Sequence, residues 1–175
     1  MAAVQLACAI QAVPYGTSRT LDKISRAKEY GLEAGIAVRE NFEELVTEAQ
    51  QWTGGKGINV VLDLAGGPYV KVSQKLMALK GRMMLVGTVA GGSYELDSRF
   101  VMGKRLQIRG TVLRARALEE KILATQTFAA EVVPLLGKGI LRPTIDSTFK
   151  MAEITKAHER LESNQTFGKV VVLME

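Results

Sequence analysis

The chain has one histidine, His158, and one cysteine, Cys8. With one of each, no internal disulfide can form and no Cys/His cage for zinc can be assembled. A nucleophilic centre of the Ser-His or Cys-His type would have to be built on His158. That residue sits with Ala157 and Leu161 in a helical stretch over 152–164, where it reads as a surface or packing residue. Asp63 is the other candidate. It ends the apolar run Ile58-Asn59-Val60-Val61-Leu62-Asp63, just before Gly66-Gly67. A carboxylate there could serve as a general base, but at the end of a buried strand it reads as a cap for the amides that follow. No residue is assigned a proton transfer.

Binding chemistry is better represented. Three stretches, 17–20, 63–67 and 86–88, are small, polar or glycine-rich and follow predicted strands. Such loops admit a sugar, a pyrophosphate or a flat ring where a Cβ would block it. In an open parallel sheet, ligands gather outside the carboxyl ends of the strands. Each loop alone could be plain strand–helix punctuation; three at equivalent positions point to a nucleotide cleft.

The elements that must position these loops alternate. Helices are predicted over 2–11, 22–30, 43–52, 68–79, 118–136 and 152–164. The first is apolar on nearly every face, so it should be covered on most sides. Gly31 is placed to end the second in the left-handed conformation. Extended or strand segments are predicted over 12–16, 34–38, 58–63, 83–87, 106–113, 143–149 and 169–173, with 58–63 and 83–87 buried and Lys80-Gly81 turning the chain between helix and strand. Strands alternating with helices predict a parallel sheet covered on both faces.

Composition narrows the class. The 175 residues are 47% hydrophobic and 23% charged, as in a globular chain, and this length should bury roughly 70% of its unfolded surface. The net charge is +5, and a basic surface attracts anions of every kind. Lys104, Arg105, Arg109, Arg114 and Arg116 form a basic segment, but they alternate with Leu, Ile and Val as strand residues do. Aromatics are only 6%, which leaves few platforms for stacking bases, so no nucleic-acid partner is expected. The apolar opening has no basic flank and cannot span a bilayer. No membrane partner is expected, and the location implied is cytoplasmic.

Four blocks carry a resemblance: Thr-Gly-Gly-Lys-Gly-Ile-Asn-Val-Val-Leu-Asp-Leu-Ala-Gly-Gly (53–67), Leu-Val-Gly-Thr-Val-Ala-Gly-Gly (85–92), Gly-Thr-Val-Leu-Arg-Ala-Arg (110–116) and Ala-His-Glu-Arg-Leu-Glu-Ser-Asn-Gln-Thr-Phe-Gly-Lys-Val-Val-Val-Leu (157–173). Together they resemble the zinc-independent quinone oxidoreductases of the medium-chain dehydrogenase/reductase superfamily, from Ala2 onward. The resemblance implies NADPH as cofactor, hydride transfer to a quinone or related carbonyl or enone compound, and no bound metal. It implies an α/β, Rossmann-like, doubly wound and mostly parallel sheet. The family's first strand and Gly-x-Gly-x-x-Gly turn would fall before Ala2, so the sheet is expected to lack both. Residues 1–140 would be the truncated cofactor-binding domain, and 141–175 the C-terminal return of the parent fold.

Site residues carry over by position. Thr17, Arg19, Thr20 and Lys23 match the region around the adenosine ribose and its 2′-phosphate. A cation with hydroxyls there suits NADP, where an acid would suit NAD. Ala65, Gly66, Val86, Gly87 and Thr88 match loops beside the ribose and nicotinamide, and Val112 and Leu113 a backbone contact to the carboxamide region. Thr166, Gly168 and Lys169 match the return over the cofactor. Val38 stands where the family often has a tyrosine. The segment 106–113 matches an edge strand that pairs with its copy in a homodimer. The chain is expected to be inactive alone. The alternative is a non-catalytic Rossmann remnant acting through association.

Overall fold

The computed structural model describes residues 1–39 and 41–174. In chain order the elements begin with α1 (Ala2–Ala9), β1 (Tyr15–Ser18), α2 (Leu21–Lys28), β2 (Ala34–Ala37) and α3 (Phe42–Trp52). Next come β3 (Ile58–Asp63), α4 (Pro68–Leu76), β4 (Met77–Leu85), α5 (Ser98–Lys104) and β5 (Gln107–Gly110). Then follow α6 (Leu118–Glu131), α7 (Val133–Gly137), β6 (Ile145–Lys150), a 3₁₀ turn (Met151–Glu153), α8 (Ile154–Glu162) and β7 (Lys169–Leu173). Every strand pairing is parallel, in sheets ordered β1-β2, β3-β4-β5 and β6-β7. The chain forms two compact units, one of Met1–Ala37 with Ala124–Glu175 and one of Val38–Leu123.

The first unit is organised by α2. Asp22 in its first turn and Arg26 and Lys28 in its last complement the helix dipole, while Ile24 and Ala27 share the buried face. They pack with Leu32 and with Phe167 from the far end of the chain. The Arg26 guanidinium lies 4.3 Å from the centre of the Phe167 ring. This packing brings the segment before β7 onto the helix that follows β1.

The second unit is built on the three-stranded sheet. Val61, Met83 and Ile108 stand in register on one face and join Val70, Met77, Leu85, Val101 and Leu106 in a core. Lys104 closes α4: its ammonium donates to the carbonyls of Lys75 at 2.8 Å and Met77 at 2.7 Å. Burial pushes that ammonium below its usual range. The basic segment thus begins with a helix-capping lysine.

Several elements differ from the sequence reading. Thr17 and Ser18 belong to β1, where a polar loop is predicted. The expected turn at Lys80-Gly81 lies inside β4. Ile58 pairs with Met77 and Val60 with Arg82, so the intervening residues bulge, with Lys80 at φ 59°. The helix predicted over 118–136 is interrupted before Pro134, which lacks the amide hydrogen to continue it. Strand 106–113 shortens to four residues, leaving Val112 and Leu113 outside it. In α1 only Gln5 is buried, because its amide exchanges two hydrogen bonds with the Arg142 backbone, at 3.0 and 2.9 Å. β3 is covered on one face only: Val60 and Leu62 are 55% and 47% exposed.

Candidate functional site

The first cluster of candidate residues lies in the first unit, where β1 hands over to α2. Thr17 is exposed near the end of the strand. Thr20 takes the N-cap position of α2, yet its hydroxyl makes no capping hydrogen bond. Arg19 and Lys23 converge on one residue. The Arg19 guanidinium donates to the Asn164 side-chain oxygen at 2.8 Å, and the Lys23 ammonium to the Asn164 backbone carbonyl at 2.7 Å. Among the described residues neither cation has a carboxylate partner. Asp22, their neighbour in sequence, faces Arg26 at 3.9 Å instead. Two cations held by neutral oxygens can receive an anion without breaking an ion pair among the described residues.

Thr166, Gly168 and Lys169 follow Asn164 on the same strand of chain. Their path is fixed from below by Asp146, whose side chain is 1% exposed. It accepts two hydrogen bonds from Arg160, at 2.9 and 3.0 Å, one from the Phe167 amide at 2.8 Å and one from the Ser147 hydroxyl at 3.0 Å. The Arg160 hydrogen bonds, with the Phe167 amide, hold the Asp146 carboxyl well below the usual carboxylate range. The Lys169 amide donates to the Thr144 carbonyl at 2.8 Å, which fixes the start of β7.

The second cluster lies in the second unit, at the carboxyl ends of β3, β4 and β5. Asp63, Leu85 and Gly110 stand side by side in register. The Val86 amide donates to the Asp63 carbonyl at 2.8 Å and the Thr111 amide to the Leu85 carbonyl at 2.9 Å, so the alignment continues past the strands. Asp63 caps the loop after β3, one carboxylate oxygen accepting from the Ala65 and Gly66 amides at 2.8 Å each. This is the capping role read from the sequence. Ala65, Gly66, Gly87 and Thr88 come together here. A Cβ on Gly66 would lie 2.7 Å from the Gly91 carbonyl and 3.0 Å from that of Gly87. Packing of one loop on another therefore requires glycine at 66 without any ligand. Val112 and Leu113 are 63% and 66% exposed, and Arg116 fastens their turn by donating to the Val112 carbonyl at 3.0 Å and the Thr111 hydroxyl at 2.7 Å.

A sequence profile described as zinc-binding dehydrogenase matches residues 32–172. The chain belongs to that family. Curated relatives include the quinone oxidoreductase of Lama guanicoe, 29% identical over all of this chain and 51% of its own length. The acryloyl-coenzyme A reductase of Metallosphaera sedula is also 29% identical, over 97% of this chain and 46% of its own. Among solved structures, the Escherichia coli quinone oxidoreductase complexed with NADPH superposes with a TM-score of 0.79 at 25% identity, covering 98% of this chain and 52% of that one. The chain spans about half the length of the curated relatives it matches. Its fold is that of the Rossmann-like cofactor domains of this superfamily.

Among the described residues, no group of three or more His, Cys, Asp and Glu side chains is placed to hold a metal ion. His158 is exposed on α8. Val38 is 1% exposed, in the core, so position 38 presents neither a hydroxyl nor a surface side chain. Sequence reasoning missed Asn164, Asp146 and Arg160. The one local signal was an asparagine just after a helix, a position that asparagine takes at positive φ, here 58°.

Proposed function

We propose that the chain is the cofactor-binding part of a zinc-independent, cytoplasmic reductase that uses NADPH and delivers hydride to a quinone or a related carbonyl or enone compound. Residues 1–140 form the cofactor-binding portion and 141–175 the return segment. The observation that carries this reading is the meeting of Arg19 and Lys23 after β1 on the neutral oxygens of Asn164, with no carboxylate partner among the described residues. A 2′-phosphate is the part of NADPH that NADH lacks, and two cations beside the Thr17 and Thr20 hydroxyls match it in charge and donor type. The NADPH bound to the Escherichia coli relative supports the same cofactor here.

Each cluster has its own task. Thr17, Arg19, Thr20 and Lys23 bind the 2′-phosphoadenosine end, and Thr166, Gly168 and Lys169 line the return beside it. In the second unit Ala65, Gly66, Val86, Gly87, Thr88, Val112 and Leu113 contact the ribose and nicotinamide end. NADPH supplies the hydride; this chain's residues bind and orient, and none of them moves a proton. Asp63 caps the loop after β3 through one carboxylate oxygen, which supports a structural role for it rather than that of a base.

The alternative, a non-catalytic remnant that acts by association, is supported by α6, none of whose residues is buried although Leu118, Leu123 and Phe128 lie along it. Homodimerisation through the 106–113 edge strand belongs to either reading. Titration calorimetry with NADPH, together with an assay on a simple benzoquinone, tests the proposal. Binding weaker than about 1 μM but clearly favouring NADPH over NADH, with no turnover, is expected. Equal binding of the two nucleotides, or none, would sink the cofactor assignment; steady turnover would overturn inactivity of the chain alone.

A further inference from the structure

We infer that Asn164 is a positioning residue that sets the preference of this site for a 2′-phosphorylated adenine nucleotide. The inference rests on the NADPH reading of Arg19 and Lys23 and adds a residue to it from the opposite end of the chain. Asn164 is 145 residues from Arg19 and 141 from Lys23, and it engages both through two different oxygens. Its side-chain oxygen takes the guanidinium and its backbone carbonyl takes the ammonium, so the two cations meet on one residue, and among the described residues neither has a carboxylate partner. Like charges so held repel, and the anion that relieves the repulsion is bound in proportion. A neutral amide is the right group for this role. It fixes the guanidinium, while the backbone carbonyl fixes the ammonium, and it competes weakly with a phosphate, whereas a carboxylate in its place would form the ion pair itself.

The backbone at 164 makes the residue type specific. With φ at 58°, the position suits glycine or asparagine, and the Asn164 amide nitrogen also donates to the Glu162 carbonyl at 3.0 Å, which steadies the turn. The same turn leads within two residues to Thr166, so the groups that orient the cations and those of the return segment share one short piece of chain.

Adenosine 2′,5′-bisphosphate and adenosine 5′-monophosphate are the probes, titrated calorimetrically against the full chain at low ionic strength, where surface charge is least screened. The wild type is expected to favour the bisphosphate by about tenfold or more, the difference one charge-assisted contact makes. Asn164→Asp should reduce that ratio by about tenfold while leaving monophosphate affinity within about twofold. Asn164→Gly keeps the turn and the carbonyl that holds Lys23 but releases the Arg19 guanidinium, so it should lower the ratio by about threefold, and an unchanged ratio in this variant would overturn the inference. A preference in Asn164→Asp within about twofold of wild type would overturn the inference, as would equal loss of both probes. A wild type with no preference overturns the NADPH reading itself, a result distinct from failure of Asn164 alone.

Discussion

Asp146 carries a charge on a side chain that is 1% exposed, and Arg160, Phe167 and Ser147 together account for it. Removing the charge leaves an amide that cannot accept the same set of bonds. Asp146→Asn is expected to lower unfolding free energy by about 2 kcal/mol at pH 7, measured by urea denaturation. The pH dependence follows from the direction of the shift. A carboxyl held below its ordinary value in the folded state contributes stability at pH values above about 4, where the unfolded chain is also ionised. That contribution is lost as pH falls below this value toward the folded pKa. The gap between wild type and Asn variant should therefore narrow in acid; a gap constant from pH 7 to pH 3 would contradict it. At this scale the sequence is partly legible. Asp63 could be read as a cap because both its partners lie within three residues. Asn164 could not, because its partners are brought near only by the packing of Phe167 on α2.

Strands and helices were legible where local pattern and tertiary demand agree. The amphipathic α2 and the glycine stop at Gly31 are such cases. They were not legible where one signal has two structural meanings. Lys80-Gly81 looks like a turn and is a bulge, because positive φ serves both. Val60 and Leu62 look like core because apolar residues fill them, but hydropathy cannot tell which face a helix will cover. Gly168 is the element-level joint of the return segment. Its φ is +114°, and a Cβ there would lie 2.4 Å from the Thr144 carbonyl, whose oxygen also accepts from the Lys169 amide. Gly168→Ala is expected to cost at least about 2 kcal/mol and to disturb the β6–β7 pairing. Gly92, with nothing within 4 Å of its would-be Cβ, is the control. Gly92→Ala should stay within about 0.5 kcal/mol in the same denaturation experiment. Equal effects at the two positions would remove the steric argument.

The whole molecule contains three parallel sheets of two, three and two strands among the described residues, each ending in edge strands with unpaired backbone groups. Edges of this kind pair with other chains unless they are short, charged or covered. β5 is one of them: its partner is β4 alone, and it presents Gln107, Arg109 and Gly110 to solvent. Four residues bury too little to hold a dimer by backbone pairing, since a stable interface covers roughly 1,200 Å² or more. A dimer through this edge must therefore draw on Val112 and Leu113, which are exposed immediately beyond the strand. Sedimentation velocity from about 1 to about 100 μM is expected to show a monomer–dimer equilibrium that moves toward dimer with concentration. Val112→Asp with Leu113→Asp should move it to monomer, because two carboxylates would be buried against their own copies. A wild type that sediments as a monomer throughout that range removes the dimer. A double variant that still dimerises relocates the interface to another edge, with β3 and its exposed Val60 and Leu62 the next to test.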